Sequence, residues 1–136
     1  MQNHVIDPTF FYDAIEEFAF DFNIYVVDKK TVSDSGKIKT EYTKQTIRGS
    51  LQSKGTTLIQ KNNGNTNTMT YMFYCKSLYR INIGDIIEYK GNYLMCDSVR
   101  DYDEYGVRSA HLQMITLTAY RDLKDYIDYI EGRKIV

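Results

Sequence analysis

The sequence has no tryptophan, a single proline and only two cysteines among its 136 residues. Cys75 and Cys96 are too far apart for a zinc or thioredoxin-type motif, and we expect both to be buried free thiols in strands. No run approaches the roughly 20 apolar residues that a membrane span needs. The first residues have neither the basic nor the apolar region of a signal peptide. We therefore expect a protein that is made in the cytoplasm and makes no membrane contact.

An excess of charge of either sign is also missing. Seventeen basic residues oppose eighteen acidic ones, for a net charge of −1. Such a balance creates no long-range field for a polyphosphate chain, which argues against a general nucleic-acid binder but is compatible with a local basic patch. What the sequence has in abundance is tyrosine, with 13 residues, beside 6 phenylalanines. These rings suit strands and surfaces that meet a partner.

A helix is predicted near the beginning of the chain, over residues 8–22. Asp7 can cap it and Pro8 suits its first position. Apolar residues then recur at spacings of four, three and four, which puts them on one helical face. These residues are Phe11, Ile15, Phe18 and Phe22.

A second helix is predicted over residues 118–132. Thr118 can cap it and Gly132 can end it. Its apolar residues recur at three, four and three and should cover the strands: Tyr120, Leu123, Ile127 and Ile130. Tyr126 and Tyr129 lie off this stripe, so the helix either covers only its own core or also contacts a neighbouring subunit.

Between the helices, residues 23–117 contain six to eight short strand patterns separated by turn signals. The clearest is a hairpin in which residues 86–89 and 93–96 flank a Lys-Gly-Asn turn. Residues 69–75 and 110–114 each have alternating apolar positions that share one face. Gly49 marks a bulge or a close backbone approach. The sequence therefore predicts one domain over residues 1–136, mainly β, as a small antiparallel β-barrel or sandwich with an N-terminal and a C-terminal helix.

Residues 53–68 are the least core-like stretch. They are rich in Asn, Gly and Thr and contain no acidic residue. We expect a long exposed loop or a protruding hairpin. Its polar and basic members are the candidates for contact with a nucleic acid: Lys54, Lys61, Asn62, Asn63, Gly64 and Asn65.

Motifs that would indicate catalysis or metal binding are weak. Residues 101–106 imitate the start of a calcium-binding EF-hand loop, but Leu112 stands where the bidentate Glu is required. His111 has no Cys or second His at metal-ligand spacing. Neither a nucleophile elbow nor a phosphate-binding glycine loop is present. We expect no cofactor and no enzymatic activity.

Residues 47–115 follow the order of elements of a known family. Residues 47–52 read IRGSLQ, a polar-Gly-Ser-apolar first strand, and a variable segment and an aromatic strand come next. Residues 78–89 then carry Gly84-Asp85 before a strand, and an acidic turn precedes the final strand. This region resembles the head-completion proteins of tailed bacteriophages, also called stoppers or head-closure proteins. The two helices are additions to a minimal stopper, which leaves open another neck or tail-completion role.

The resemblance implies a small β-barrel that assembles into a homo-oligomeric ring within the virion, after assembly in the host cytoplasm. Such a ring lies below the portal or an adaptor protein and extends and closes the DNA channel. It contacts the packaged DNA transiently and non-specifically, and it docks the tail tube or a tail-completion protein. The 53–68 segment would then face the channel. Aromatic and polar side chains would form the subunit interface, with candidates at Tyr126, Tyr129, Tyr102, Tyr105 and His111.

Two other classes of function remain open from the sequence. One is an OB-like module that binds single-stranded nucleic acid through aromatic and basic side chains of the segment 71–80. The other is a small enzyme on a β scaffold, which would need a deep pocket that joins His111 to carboxylates.

Overall fold

The computed structural model of the chain describes residues 15–61 and 64–132, and it describes the side chains of these ranges except 55–61 and 64–67. Residues 15–17 are helical. Six strands and a helix follow, with 3₁₀ turns at Asp103–Tyr105 and Leu117–Ala119. The elements are β1 (Phe20–Val32), β2 (Ile38–Lys61), β3 (Gly64–Lys76), β4 (Ile86–Tyr89), β5 (Asn92–Tyr102), β6 (Val107–Ile115) and α1 (Arg121–Ile130).

All six strands belong to one antiparallel sheet, in the order β1-β2-β3-β6-β5-β4. The sheet closes on itself because β4 also pairs with β1, with Ile24 opposite Ile87. The predicted hairpin is confirmed, with Ile87 opposite Leu94 across a turn at residues 90 and 91. The mainly β, antiparallel fold expected from the sequence is therefore confirmed.

The inner face of the closed sheet holds the main hydrophobic core. The alternating apolar residues predicted to share a face do so, since Phe73 and Leu112 are fully buried there. Side chains of successive strand residues point to opposite faces, so alternation alone selects this set. Its buried members are Phe22, Ile24, Ile47, Tyr71, Phe73, Cys75, Ile81, Ile87, Leu94, Cys96, Ala110 and Leu112.

A second hydrophobic cluster lies between the outer face of the sheet and α1. Leu123 and Ile127 of the predicted helical stripe pack on Tyr25 and Ile86, and all four are buried. The predicted C-terminal helix is confirmed in type, but it begins at Arg121 because residues 117–119 form a 3₁₀ turn first. Ile24 faces the inner core while its neighbour Tyr25 faces the helix, so β1 is buried on both sides at this point of the strand.

The predicted extent of the N-terminal helix, residues 8–22, is wrong at its end. Residues 8–14 lie outside the described part of the chain, and β1 already begins at Phe20. Phe22 faces the inner core as a strand residue, and Phe18 is 60% exposed. Phe18, Phe20, Phe22 and Ile24 also alternate with a period of two. The same residues therefore fit a helical spacing and a strand spacing. They form a strand because β1 pairs with both β2 and β4.

The long loop predicted over residues 53–68 is wrong as well, and the protruding hairpin is the alternative that the structure shows. β2 continues to Lys61 and β3 starts at Gly64, which pair with each other. Outward from the Thr56–Met69 pair, the two strands pair only with one another in the described part of the chain. We call this two-stranded extension the β2–β3 ribbon. Backbone pairing needs no apolar side chains, so a segment of largely polar composition can form these strands.

Candidate functional site

An apolar cleft of 520 Å³ opens on the outer face of the sheet. It lies over β2 and β3, outside the layer formed by the inward-facing Leu51 and Phe73. Tyr102 and Tyr105, two of the predicted interface residues, line it together. We call it the apolar cleft, and its lining consists of Ile15, Phe18, Ser50, Gln52, Tyr74, Tyr102, Tyr105 and Val107.

The acidic turn after β5 forms one wall of the apolar cleft. Asp103–Tyr105 make a 3₁₀ turn that ends at Gly106, whose φ of 67° suits glycine. The Gly106 carbonyl accepts a hydrogen bond from the Ser77 N–H at 2.9 Å, which fixes the turn against the end of β3. Asp103 and Glu104 are exposed on this turn. The cleft therefore has a mostly apolar lining, and one of its walls is a turn that bears two exposed acids.

The residues before β1 form the opposite wall. The Glu16 carboxylate accepts a hydrogen bond from Arg48 Nε at 2.9 Å and lies 3.2 Å from Lys76 Nζ. The hydrogen bond from Arg48 is the main reason that the pKa of Glu16 lies below its usual value. These contacts hold Ile15 and Phe18 beside the sheet. Sequence reasoning missed this wall because its ion pairs join residues far apart in the chain.

A second exposed apolar feature lies at the end of the β1–β2 hairpin. Val32 and Ile38 pair across the two strands and are 68% and 64% exposed. The intervening turn is closed by a 2.8 Å hydrogen bond from the Ser33 N–H to the Lys37 carbonyl, and Gly36 has a φ of 81°. We call Val32, Ile38 and the turn at residues 33–37 the β1–β2 tip.

The two tyrosines predicted as an interface on α1 differ in their surroundings. Tyr126 packs edge-on against Tyr25, with ring centroids 6.2 Å apart, and its hydroxyl accepts a hydrogen bond from the Lys44 N–H at 3.0 Å. Tyr129 is 75% exposed. Tyr126 thus stabilises its own subunit, while Tyr129 presents its ring to solvent.

His111 lies on the outer face of β6 and pairs with Asp97, with 2.7 Å between Nδ1 and Oδ1. Asp97 is the extra residue of a bulge between Cys96 and Ser98. The structure therefore accounts for both side chains as a cross-strand pair. Among the described residues, no three His, Cys, Asp or Glu side chains are grouped so that they could hold a metal ion.

The candidate channel residues belong to the β2–β3 ribbon instead of a loop. Lys54 is exposed on β2, where the ribbon begins. Lys61, Gly64 and Asn65 are in the paired strands at its far end. Asn62 and Asn63 lie outside the described residues. Contact of these six candidate residues with DNA stays a prediction.

The aromatic and basic segment proposed for single-stranded nucleic acid is not one surface. Tyr71 is 8% exposed and Phe73 is fully buried in the inner core, so neither ring can stack on a base. Lys76 lies against Glu16. This arrangement removes the main support for the OB-like nucleic-acid module.

Comparison with models of protein families and with curated protein sequences gives no match to this chain. Within the described residues, no helix is both long and apolar enough to span a membrane.

Proposed function

We propose that this chain is a structural subunit of the head-to-tail connector of a tailed bacteriophage, a head-completion or stopper protein. The observation that carries the proposal is the combination of a small closed sheet with two separate exposed apolar features and a projecting ribbon. An apolar patch rimmed by polar residues is typical of a protein interaction site. The apolar cleft and the β1–β2 tip give each subunit two different patches, which a cyclic ring of identical copies requires.

The closed order of the six strands favours a β-barrel over a sandwich of two sheets. Closure leaves fewer free sheet edges through which copies could pair without control. The order of elements also agrees with the resemblance, since Gly84-Asp85 precede β4 and the acidic turn precedes β6. In this proposal the barrel is the rigid body of the ring. The ring is held together by surface that becomes buried between subunits, and its function involves no covalent chemistry.

The β2–β3 ribbon is the proposed channel element. It is a narrow, polar extension with Lys54 near its base and Lys61 near its far end. Residues 53–68 contain no acidic side chain. A ribbon of this composition can approach DNA phosphates without charge repulsion and without reading the sequence of bases. The portal or an adaptor would bind one side of the ring, and the tail tube or a tail-completion protein would bind the other.

Assembly tests the proposal directly. The purified chain is examined by native mass spectrometry and negative-stain microscopy, alone and mixed with the portal protein encoded by the same genome. We expect a closed ring, formed alone or on the portal. A chain that stays monomeric at high concentration and has no affinity for that portal would overturn the proposal, as would a genome that encodes no portal.

The channel element is tested by charge reversal. Lys54→Glu with Lys61→Glu should leave ring formation intact but increase the loss of DNA from filled heads. Lys44→Glu with Lys90→Glu, two exposed lysines outside both the β2–β3 ribbon and the tip of the β1–β2 hairpin, is the matched control and should retain DNA. Equal retention by both double variants would show that the ribbon does not face the channel.

A further inference from the structure

We infer that the β1–β2 tip of one copy docks in the apolar cleft of a second copy, in a head-to-tail contact. This inference deepens the proposed ring by naming the two surfaces that would meet in it. The observation behind it is that one chain exposes both an apolar projection and an apolar recess, and that neither is covered by the described part of the same chain.

The apolar surfaces match in kind. Val32 and Ile38 stand side by side at a hairpin end and are each more than 60% exposed. The cleft offers the exposed ring of Phe18 and the partly exposed ring of Tyr102, over a floor that includes Val107. Removing both surfaces from water is favourable, and aromatic side chains dominate the stability of such contacts.

The positions of the two surfaces require a second copy. The cleft adjoins the start of β1, where Phe20 pairs with Gly49 beside the cleft residue Ser50. Val32 is at the other end of this strand, twelve residues later, which is roughly 40 Å along the strand at about 3.3 Å per residue. A tip at one end cannot reach its own cleft at the other. Contacts between two different patches are heterologous, and they close into a ring when the rotation between copies allows it.

The charges around the two surfaces are complementary. Three exposed lysines flank the tip, Lys30, Lys37 and Lys39, against a single acid in the turn, Asp34. The turn whose Tyr102 and Tyr105 line one wall of the cleft carries the exposed Asp103 and Glu104. Opposite charge at the rim of an apolar contact orients the partners and speeds their encounter. A small apolar ligand would gain nothing from this arrangement, whereas a lysine-flanked hairpin would.

Disulfide trapping tests the contact. Val32→Cys and Tyr102→Cys are combined in one chain and mildly oxidised; the native Cys75 and Cys96 are buried and do not compete. We expect a ladder of disulfide-linked multimers. The control replaces Val32→Cys by Leu78→Cys, which is 70% exposed but outside the tip, and it should stay monomeric on a non-reducing gel. A disulfide formed within one chain, or equal ladders from both chains, would overturn the inference.

Mixing two interface variants tests whether the contact is head-to-tail. Val32→Ser with Ile38→Ser removes the tip, and Phe18→Asp blocks the cleft; each variant alone should be monomeric in sedimentation. A mixture should yield a dimer and nothing larger, because only one intact tip and one intact cleft remain. The exposed control pair Leu78→Ser with Ile83→Ser should assemble like the natural chain.

The outcomes separate this inference from the proposed function. If the natural chain forms rings and both interface variants do too, the tip-to-cleft contact is wrong and the ring stands. If the natural chain forms no assembly alone or with the portal, both are overturned. A small molecule that co-purifies in the cleft of a monomer would likewise overturn the docking of a second copy.

Discussion

The carboxylate of Asp85 accepts a hydrogen bond from the backbone N–H of Val27 at 3.1 Å, although the two residues come from distant parts of the chain. Its other oxygen accepts from the Asn82 N–H at 2.8 Å. Asp85 is 1% exposed, and its own carbonyl accepts a 2.8 Å bond from the Cys96 N–H. One residue thus joins the loop before β4 to both β1 and β5. This gives the Gly-Asp pair of the sequence motif a structural role.

Asp85→Asn should destabilise the fold by about 1–3 kcal/mol, the usual cost of an unsatisfied buried polar group. The amide offers one acceptor, so one of the two backbone N–H groups would face an NH₂ donor. Urea unfolding followed by circular dichroism measures the change. Asp34→Asn in an exposed turn is the control and should change stability by less than about 0.5 kcal/mol. Equal effects of the two substitutions would contradict this role of Asp85.

The same carboxylate should make stability depend on pH. Burial raises the pKa of Asp85 above its ordinary value of 3.8, although the hydrogen bonds from Asn82 and Val27 oppose the shift. The folded state then holds this proton more tightly than the unfolded state. Stability from this group is therefore greatest below pH 3.8 and is lost as the pH rises through the raised folded pKa. Unfolding of the natural chain relative to Asp85→Asn, measured from about pH 3 to 7, should show this loss. A relative gain with pH would mean that the hydrogen bonds outweigh burial.

Gly49→Ala should be among the most damaging small substitutions. A Cβ at this position would lie 2.4 Å from Phe73 Cζ and 2.5 Å from the Tyr74 carbonyl oxygen, and the backbone atom cannot move aside. We expect a loss of about 3 kcal/mol, the upper end of ordinary overpacking costs. Gly91→Ala is the comparison, since open space surrounds it and only its φ of 78° is unfavourable; it should cost about 1–2 kcal/mol. Thermal unfolding that ranks Gly91→Ala as the worse variant would be evidence against this close approach.

Local patterns in the sequence were sufficient for the inner core and for α1. Phe73 and Leu112 each belong to a run of apolar residues spaced two apart, and Leu123 and Ile127 recur at helical spacing. The buried face of each element can therefore be predicted without knowing which element packs on it. The close approach at Gly49 was also predictable, because a glycine inside a strand often marks a bulge or a point where a neighbouring group comes too near for a Cβ.

Other features depend on contacts between distant elements and could not be predicted in this way. The end of the N-terminal helix was mispredicted because residues 18–24 fit two periods, and only the pairing of β1 selects one. The ribbon was ambiguous because a segment rich in Asn, Gly and Thr is typical of a loop as well as of a polar hairpin. The apolar cleft joins Phe18 to Tyr102 across most of the chain. The two tyrosines of the cleft were expected at an interface, but no local signal indicated that Ile15 and Phe18 would complete it.

The two thiols should be inert in the folded protein. Burial raises the pKa of Cys75 to about 11 and that of Cys96 to about 12, so neither is a thiolate at neutral pH. At about pH 8, near the ordinary thiol pKa, a thiol reagent should label neither residue faster than the protein unfolds, and it should label both at once in urea. Rapid labelling of one thiol in the absence of urea would show that its strand opens locally.

The helix α1 also protects an open sheet edge. Within the described strands, β3 pairs with β2 only from Ser50 onward, so the earlier part of β2 has no described strand on that side. Two side chains of α1 serve that edge: Asp122 Oδ2 accepts from the Thr40 N–H at 2.8 Å, and the Tyr126 hydroxyl accepts from the Lys44 N–H at 3.0 Å. Unpaired edges invite association with other strands. A helix that occupies these donors therefore limits pairing of copies through β2.

Tyr126→Phe should remove one of these bonds and keep the ring packing on Tyr25. We expect a loss of about 0.5–1.5 kcal/mol, the net value of a typical hydrogen bond, and faster amide hydrogen exchange at Lys44 than in the natural chain. Tyr129→Phe, on the exposed side of the same helix, is the matched control and should leave both quantities unchanged. If Tyr126→Phe alters assembly but not exchange at Lys44, the hydroxyl serves a neighbouring subunit instead of the edge of β2.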